Sequence, residues 1–385
     1  MYHIVFNADE KYIKYLAVLI NSIILHTNIG GGDRASKSPT NLNPNSESNF
    51  DPAPYHFHIL TDCISKPARD KLDAFIKSLS KIYPCELSIH TLDDSVFHSS
   101  IAWGFEYEHS KNYLAYYRLL LARILPQNAT KCLYLDTDTL VLCDVRELFA
   151  LDLGTHILAS SCGGVHKNAR WDRILRSTKD NKMHTFEVPY YFCSGLMLIN
   201  LAQWKAQDIE SKSVDFLENY ASEYADQDAL NIIIKGDIVP LPAEYGLLIF
   251  QAGFALDNQN CDFKDELQKI LSSLKIAHFN GPSHPWLSKY RYLGENALPI
   301  DYPYIDKWWE IALETPEFCD ELKAIWRDLR NDSRILQDYM KGISKFLTQK
   351  DIEVQNKLVK IIAKQNPLKY YTRKWRKSIK KWICK

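Results

Sequence analysis

The sequence predicts an α/β protein built on a mostly parallel sheet. Three observations predict it: a strand followed by a helix at the start, an alternation of apolar runs with helical patterns, and two carboxylates closing an apolar strand near mid-chain. Ile4-Val5-Phe6 reads as a buried strand, and Leu16, Leu19, Ile20, Ile23 and Ile24 recur at helical spacing in a helix from about Lys11 to His26. Residues 27 to 54 are rich in Gly, Ser, Asn and Pro and read as a flexible surface insertion. The pattern resumes with a strand at His56 to Leu60, a helix from about Lys66 to Leu79 and a strand near Leu87-Ser88-Ile89. A helix from about Tyr113 to Ile124 then leads into Cys132-Leu133-Tyr134-Leu135-Asp136-Thr137-Asp138-Thr139-Leu140. Ligands of such sheets sit beyond the carboxyl ends of the strands, where Asn7 to Asp9 and Asp136 to Asp138 both fall. Trp308-Trp309-Glu310-Ile311-Ala312 and the charged, periodic run after it predict a helical C-terminal region.

Two aspartates at i and i+2 can both reach one hard cation, and carboxylate oxygens suit Mg²⁺ or Mn²⁺, which points to phosphate chemistry. An isolated D-x-D also suits a solvated turn. The 385 residues, 46% hydrophobic and 24% charged, are an ordinary composition for a globular protein with one large domain or two. Met1 to Asn7 lacks the basic start and apolar stretch of a signal peptide, and no segment has the apolar length of a membrane span, so a cytoplasmic protein is expected. Nine cysteines, none in C-x-x-C spacing, read as mostly small core residues rather than as a disulfide or zinc framework.

The zero net charge hides an asymmetry: Val354 to Lys385 holds nine lysines and two arginines with no Asp or Glu. Tyr371, Trp375, Ile379, Trp382 and Ile383 share one helical face, opposite Arg373, Lys374, Arg376, Lys377, Lys380 and Lys381. A basic amphipathic helix over about 367–385 suits an anionic membrane surface. The alternatives are packing on the acidic remainder of the chain or contact with nucleic acid, for which no recognisable module accompanies it.

The chain resembles glycosyltransferase family 8, the retaining enzymes that include bacterial lipopolysaccharide and lipooligosaccharide galactosyl- and glucosyltransferases and, more distantly, glycogenin. Six stretches carry the resemblance in order: Ile4 to Tyr12, Tyr117-Arg118-Leu119, Leu133 to Asp138, Tyr191 to Leu201, Asp226 to Asn231, and His278 to Trp286. It implies a GT-A type, Rossmann-like nucleotide-sugar-binding domain over residues 1–290 and a helical region over 291–385. It also implies transfer of galactose or glucose from a UDP-hexose to a lipid-linked glycan acceptor, by a peripheral enzyme at the inner face of the cytoplasmic membrane. Asp136, Asp138 and His278 correspond to the family's ligands of Mn²⁺, with Mg²⁺ as the substitute. Asn7, Ala8, Asp9, Lys11 and Tyr12 correspond to the nucleoside cradle. Arg118, Asp136, Thr137, Asp138, Ser194, Asp226, Gln227, Gly281 and His284 correspond to further donor contacts, and Asp226 and Gln227 also to the catalytic pair beside the anomeric carbon.

Residue by residue, other readings stand beside these. Asp9 is also a natural helix cap, Asp226 and Asp228 natural N-terminal helix charges, Arg118 an exposed helix cation, and His278 an ordinary strand end. An amide is a poor nucleophile, so Gln227 suggests same-face substitution rather than a covalent intermediate. His284 stands where the family usually has a lysine on the diphosphate, a part that Lys289 or Arg291 could take. Cys162 and Cys193 depart from the family's usual aspartate and asparagine and leave the sugar open. Two rival readings remain: a sugar-nucleotide-binding protein without turnover, and a haloacid-dehalogenase-type phosphatase with Asp136 as nucleophile.

Overall fold

A computed structural model describes residues 1–28, 52–98, 113–164, 169–258, 261–294 and 297–365, with side chains as far as 357. Most of the 27–54 insertion and all of the 367–385 tail lie outside these residues. One compact unit comprises Met1–Trp286 and Tyr302–Arg327, and a second comprises Leu287–Asp301 and the chain from Asp328 onward.

The first unit is built on β1 (Tyr2–Asn7), β2 (Tyr55–Thr61), β3 (Cys85–Thr91), β4 (Lys131–Leu135), β5 (Thr139–Val141), β6 (Leu158–Ser160) and β7 (Arg173–Ser177). It continues with β8 (Met183–Phe186), β9 (Leu196–Asn200), β10 (Tyr220–Ala221), β11 (Ile238–Pro240), β12 (Tyr245–Leu248) and β13 (Ile276–His278). Seven of these strands form one sheet in the order β11-β6-β9-β4-β1-β2-β3. Its pairs are parallel except where β9 runs against β4 and β6. The mostly parallel α/β sheet expected from the sequence is therefore present, and so is a helical C-terminal region, whose long helix is Asp332–Gln365 in the second unit.

Helix α1 (Ile13–Leu25) follows β1 as its periodicity predicts, with Leu16, Leu19, Ile20, Ile23 and Ile24 buried. Helix α2 (Lys66–Leu79) starts at Ser65, whose hydroxyl accepts the Ala68 N–H at 3.4 Å, and it buries Leu72, Phe75, Ile76 and Leu79. Each such side chain contributes about 1.5–3 kcal/mol by leaving water. Trp308, on helix Ile305–Ala312, is fully buried beside Trp286, and Trp309 Nε1 donates to the Pro285 carbonyl at 3.1 Å. No helix among the described residues is long and apolar enough to cross a membrane.

Two expectations need correction. The helix expected from Tyr113 to Ile124 is a 3₁₀ run, Leu114–Leu120, ending in one α-turn, Leu121–Ile124. Tyr116 to Leu120 are consecutively buried, which one face of an α-helix cannot achieve, and two carbonyls are diverted: Leu114 O accepts Asn7 Nδ2 (2.8 Å) and Ala115 O accepts Arg118 Nε (3.0 Å). The cysteines are not mostly core residues. Among those described only Cys132 and Cys193 are buried, Cys63 is exposed, and the rest are half-buried, on loops, at strand ends or, for Cys319, at the start of a helix.

Candidate active site

The D-x-D segment is where the chain leaves one sheet for another. β4 ends at Leu135, and after a turn β5 joins the small sheet β12-β13-β5. The turn is closed by Thr139, whose N–H and hydroxyl both donate to Asp136 O, at 3.2 and 2.8 Å. Because β13 runs antiparallel to β5 with His278 opposite Thr139, the imidazole falls beside the second aspartate. His278 Nε2 lies 3.2 Å from Asp138 Oδ1 and 3.8 Å from Asp136 Oδ2. The ligand atoms of all three side chains lie within 4.8 Å of one another.

The neighbouring strand completes the cluster. β9 pairs with β4 so that Leu196 faces Leu135, and Asp136 N donates to Gly195 O at 2.9 Å. A Cβ at Gly195 would collide with the His278 ring and come within 2.6 Å of Asp136 Oδ2, so only glycine leaves this space open. Cys193, two residues earlier, places Sγ 3.5 Å from His278 Nδ1 and orients the ring from behind. Burial opposes charge on Asp138, but the His278 and His284 imidazoles outweigh it and hold its carboxyl well below the usual carboxylate range. Burial likewise opposes charge on His278, and Asp138 reverses this and holds the imidazole well above its ordinary value. Two carboxylates, one imidazole and an open cradle form a donor set that fits a hard or borderline divalent cation.

Arg118 is fully buried rather than an exposed helix cation. Its Nη2 lies 2.8 Å from Asp136 Oδ1 and its Nη1 donates to Ser194 O (2.9 Å) and Oγ (3.2 Å). Tyr134 OH also donates to Asp136 Oδ1, at 2.8 Å. Arg118 Nε lies 3.2 Å from Asp226 Oδ2 but points its hydrogen at Ala115 O, so that buried oxygen has a charged neighbour and no hydrogen bond. Burial and the nearby Asp136 push Asp226 up to about 6, against the pull of Arg118.

Helix Asp226–Ile234 is brought to the site by Asn231, whose side chain accepts Phe192 N (2.8 Å) and donates to Phe192 O (2.9 Å). Gln227 is thereby laid against the Tyr191-to-Ser194 segment, accepting Ser194 N with Oε1 (3.0 Å) and donating from Nε2 to Tyr191 OH (3.3 Å). Asp228 is a buried hub rather than a helix-end charge. It accepts Tyr191 OH (2.7 Å), Ser222 Oγ (3.1 Å) and the N–H groups of Glu223 and Tyr224 (3.1 and 3.0 Å), beside Arg173 at 2.8 Å. These bonds hold the turn that ends in Ala225, at φ 52° and ψ −127°, strained for a residue with a Cβ.

The other expected residues are distributed around this centre. Ala8 is fully buried at the end of β1, and Asn7 is buried with Oδ1 lacking a hydrogen bond. Asp9 accepts Tyr12 N (3.0 Å), which makes it a turn-former before α1, while Lys11 is exposed and Tyr12 meets Trp286 edge-on at 6.1 Å. Thr137 is buried at the D-x-D turn, and Gly281 opens the His278-to-Trp286 segment with φ +60°. His284 stacks on Trp286 at 4.8 Å, and its Nε2 lies 2.9 Å from Asp138 Oδ2, so this imidazole is tied to the acid cluster. In the second unit, Arg291 is paired with Asp338 at 3.2 Å. Cys162 Sγ faces Gly164 O at 3.5 Å. Sequence reasoning did not assign parts to Gly195, Tyr134, Tyr191, Arg173 or Asn231. All but Arg173 stand inside the six matching stretches, but nothing in the sequence gives the collision at Gly195 or the reach of Tyr134.

The model of the family described as glycosyl transferase family 8 matches residues 3–290. The chain belongs to that family. Its relatives include a putative glycosyltransferase of Haemophilus influenzae, 26% identical over 76% of this chain and 74% of the relative. Another is the lipopolysaccharide 1,3-galactosyltransferase of Salmonella typhimurium, 23% identical over 76% of this chain and 80% of the relative. The crystal structure of the galactosyltransferase LgtC with donor and acceptor sugar analogues matches with a TM-score of 0.54 at 21% identity, covering 84% of this chain and 99% of LgtC. At that identity the likeness speaks for a shared GT-A fold. This family 8 chain is a glycosyltransferase, and the phosphatase reading of Asp136 finds no support in either comparison.

Proposed function

We propose that the protein transfers a hexose, galactose or glucose, from a UDP-sugar to a lipopolysaccharide or lipooligosaccharide glycan, with retention of anomeric configuration. The observation that carries the reading is the meeting of Asp136, Asp138 and His278 with Gln227 and Asp226 around one open cradle at Gly195. Asp136, Asp138 and His278 would hold the cation, Mn²⁺ or Mg²⁺. When bound it supplies Lewis-acid neutralisation of charge on the departing UDP.

The chain's own residues supply the rest. Asn7 Oδ1 and Asp226 Oδ2, both buried acceptors without a hydrogen bond, are suited to donors on the nucleoside and the sugar. Ala8, Asp9, Lys11 and Tyr12 continue the nucleoside contact, and Thr137, Ser194, Gly281 and His284 the phosphate and sugar contacts. Arg118, charged between Asp136 and Asp226, fixes both carboxylates. Gln227, pinned at both ends of its amide, turns its carbonyl dipole toward the anomeric carbon and stabilises the oxocarbenium-like state. The C1–O bond to UDP breaks, the acceptor oxygen bonds C1 on the same face, and the acceptor proton passes to the leaving phosphate. Trp171 and Tyr224, 45% and 40% exposed and both over the Arg173 guanidinium, offer a sugar ring stacking faces beside Tyr191.

Metal-stripped protein supplied with lipooligosaccharide acceptor should release UDP from one of UDP-glucose and UDP-galactose only when Mn²⁺ is restored. Tight metal-dependent UDP binding without release from either donor would instead favour a binding protein. The basic segment 367–385 would hold the enzyme at the inner face of the cytoplasmic membrane, where a lipid-linked acceptor is found. Deleting the residues after Asn366 should abolish sedimentation with anionic vesicles and leave UDP-sugar hydrolysis intact, and retained vesicle binding would refute the anchor.

A further inference from the structure

A second cluster of metal-ligand side chains lies on the other half of the same sheet. In β1, β2 and β3 the register sets His3 beside His56 beside Glu86 in one row across three parallel strands, and His58 beside Ser88 in the next. Register partners share a face, so these side chains meet. His3 Nδ1 and His58 Nε2 are 3.0 Å apart, as are His58 Nδ1 and His90 Nε2. The rings of His56 and His58 stack at 3.9 Å. One nitrogen from each of His3, His56 and His58 falls within 4.8 Å of the others.

We propose that His3, His56 and His58 form a second metal site, one that takes Zn²⁺ through three imidazoles and clamps β1 to β2. Three nitrogens on one centre are the donor set that Zn²⁺ prefers over hard cations, whereas the carboxylate-rich D-x-D cluster favours Mn²⁺ or Mg²⁺. The two sites are separate. His3 faces Cys132 on β4, and Asp136 lies four residues further along that strand direction, roughly 13 Å at the rise of a β-strand.

The surroundings favour a cation. His3 and His58 are buried, an expensive place for polar rings that core aliphatics could have filled. Glu86 Oε1 lies 3.0 Å from His56 Nδ1, an arrangement in which a carboxylate orients a ligating imidazole. Ser88 Oγ sits 2.8 Å from His56 Nε2, and ion binding exchanges one of these contacts for the metal. The His56 and Glu86 side chains are 15% and 56% exposed, which gives the ion a way in from the β3 edge.

The test uses the full chain carrying Asp138→Asn to silence the first site, stripped with a chelator and dialysed against Zn²⁺ alone. One Zn²⁺ per chain is expected, with affinity falling at least tenfold when His3→Gln and His56→Gln are added and the circular dichroism spectrum is retained. Absence of Zn²⁺ from the Asp138→Asn protein, or equal affinity without the two imidazoles, would overturn the site and leave a hydrogen-bonded histidine row. Should the triple variant not fold, Co²⁺ added to the Asp138→Asn protein decides. Intense visible bands of a tetrahedral nitrogen-ligated ion are expected, and the weak spectrum of an octahedral ion would refute the proposal.

Discussion

Asp138→Ala is expected to lower UDP-sugar turnover about 10³-fold or more while the far-UV spectrum stays native. The side chain meets His278 Nε2 at 3.2 Å and His284 Nε2 at 2.9 Å, so its loss takes one of the three proposed metal ligands and leaves two imidazoles without this carboxylate. Lewis-acid stabilisation of a leaving group is worth several kcal/mol, and each ~1.4 kcal/mol is tenfold in rate, which sets the expected size. Steady-state UDP release across a Mn²⁺ titration checks it, and near-normal turnover at saturating metal would remove Asp138 from the site. Gly195→Ala should reproduce the loss without replacing a proposed ligand, because its methyl group would lie within 2.6 Å of Asp136 Oδ2 and against the His278 ring. That pairing separates the need for an open cradle from the need for a particular oxygen.

Gln227→Ala is expected to cut transfer by about 10²–10³ with UDP affinity held within about twofold, the range found when one preorganised polar group is removed from a reacting centre. Among the described residues its amide is hydrogen-bonded to Ser194 N and Tyr191 OH, and the proposed nucleoside contacts belong to other side chains. Truncation strands the buried Ser194 N–H, a cost of about 1–3 kcal/mol, so a modest fall in melting temperature should accompany the kinetic loss. Isothermal titration with UDP beside single-turnover transfer tests both halves. Unaltered transfer would sink the proposed part of Gln227.

Much of this was legible because local chemistry and long-range topology agree. The alternation around β1, α1, β2, α2 and β3 follows from side chains that alternate or recur at the period of their own element, and the structure keeps those bounds within a few residues. The Tyr113-to-Ile124 segment reads as α-helical by composition but is 3₁₀, because Asn7 and Arg118 claim the Leu114 and Ala115 carbonyls and neither claim is visible in the segment itself. The cysteines show the same limit: burial depends on which loop or strand end each one occupies.

Alone, the sequence determined the fold class and the family and brought Asp136, Asp138 and His278 forward as the proposed metal-binding trio, since these rest on residue types in a fixed order along the chain. Only the tertiary structure decided how far apart those residues stand and what their neighbours do. It put His278 opposite Thr139 through an antiparallel pairing, packed His278 and Asp136 where only a glycine at 195 admits them, tied His284 to Asp138 and gathered three histidines on adjacent strands. The reason is physical: a motif specifies chemistry, whereas distance, burial and charge arise from elements tens to hundreds of residues apart, and those terms set ligand geometry and protonation.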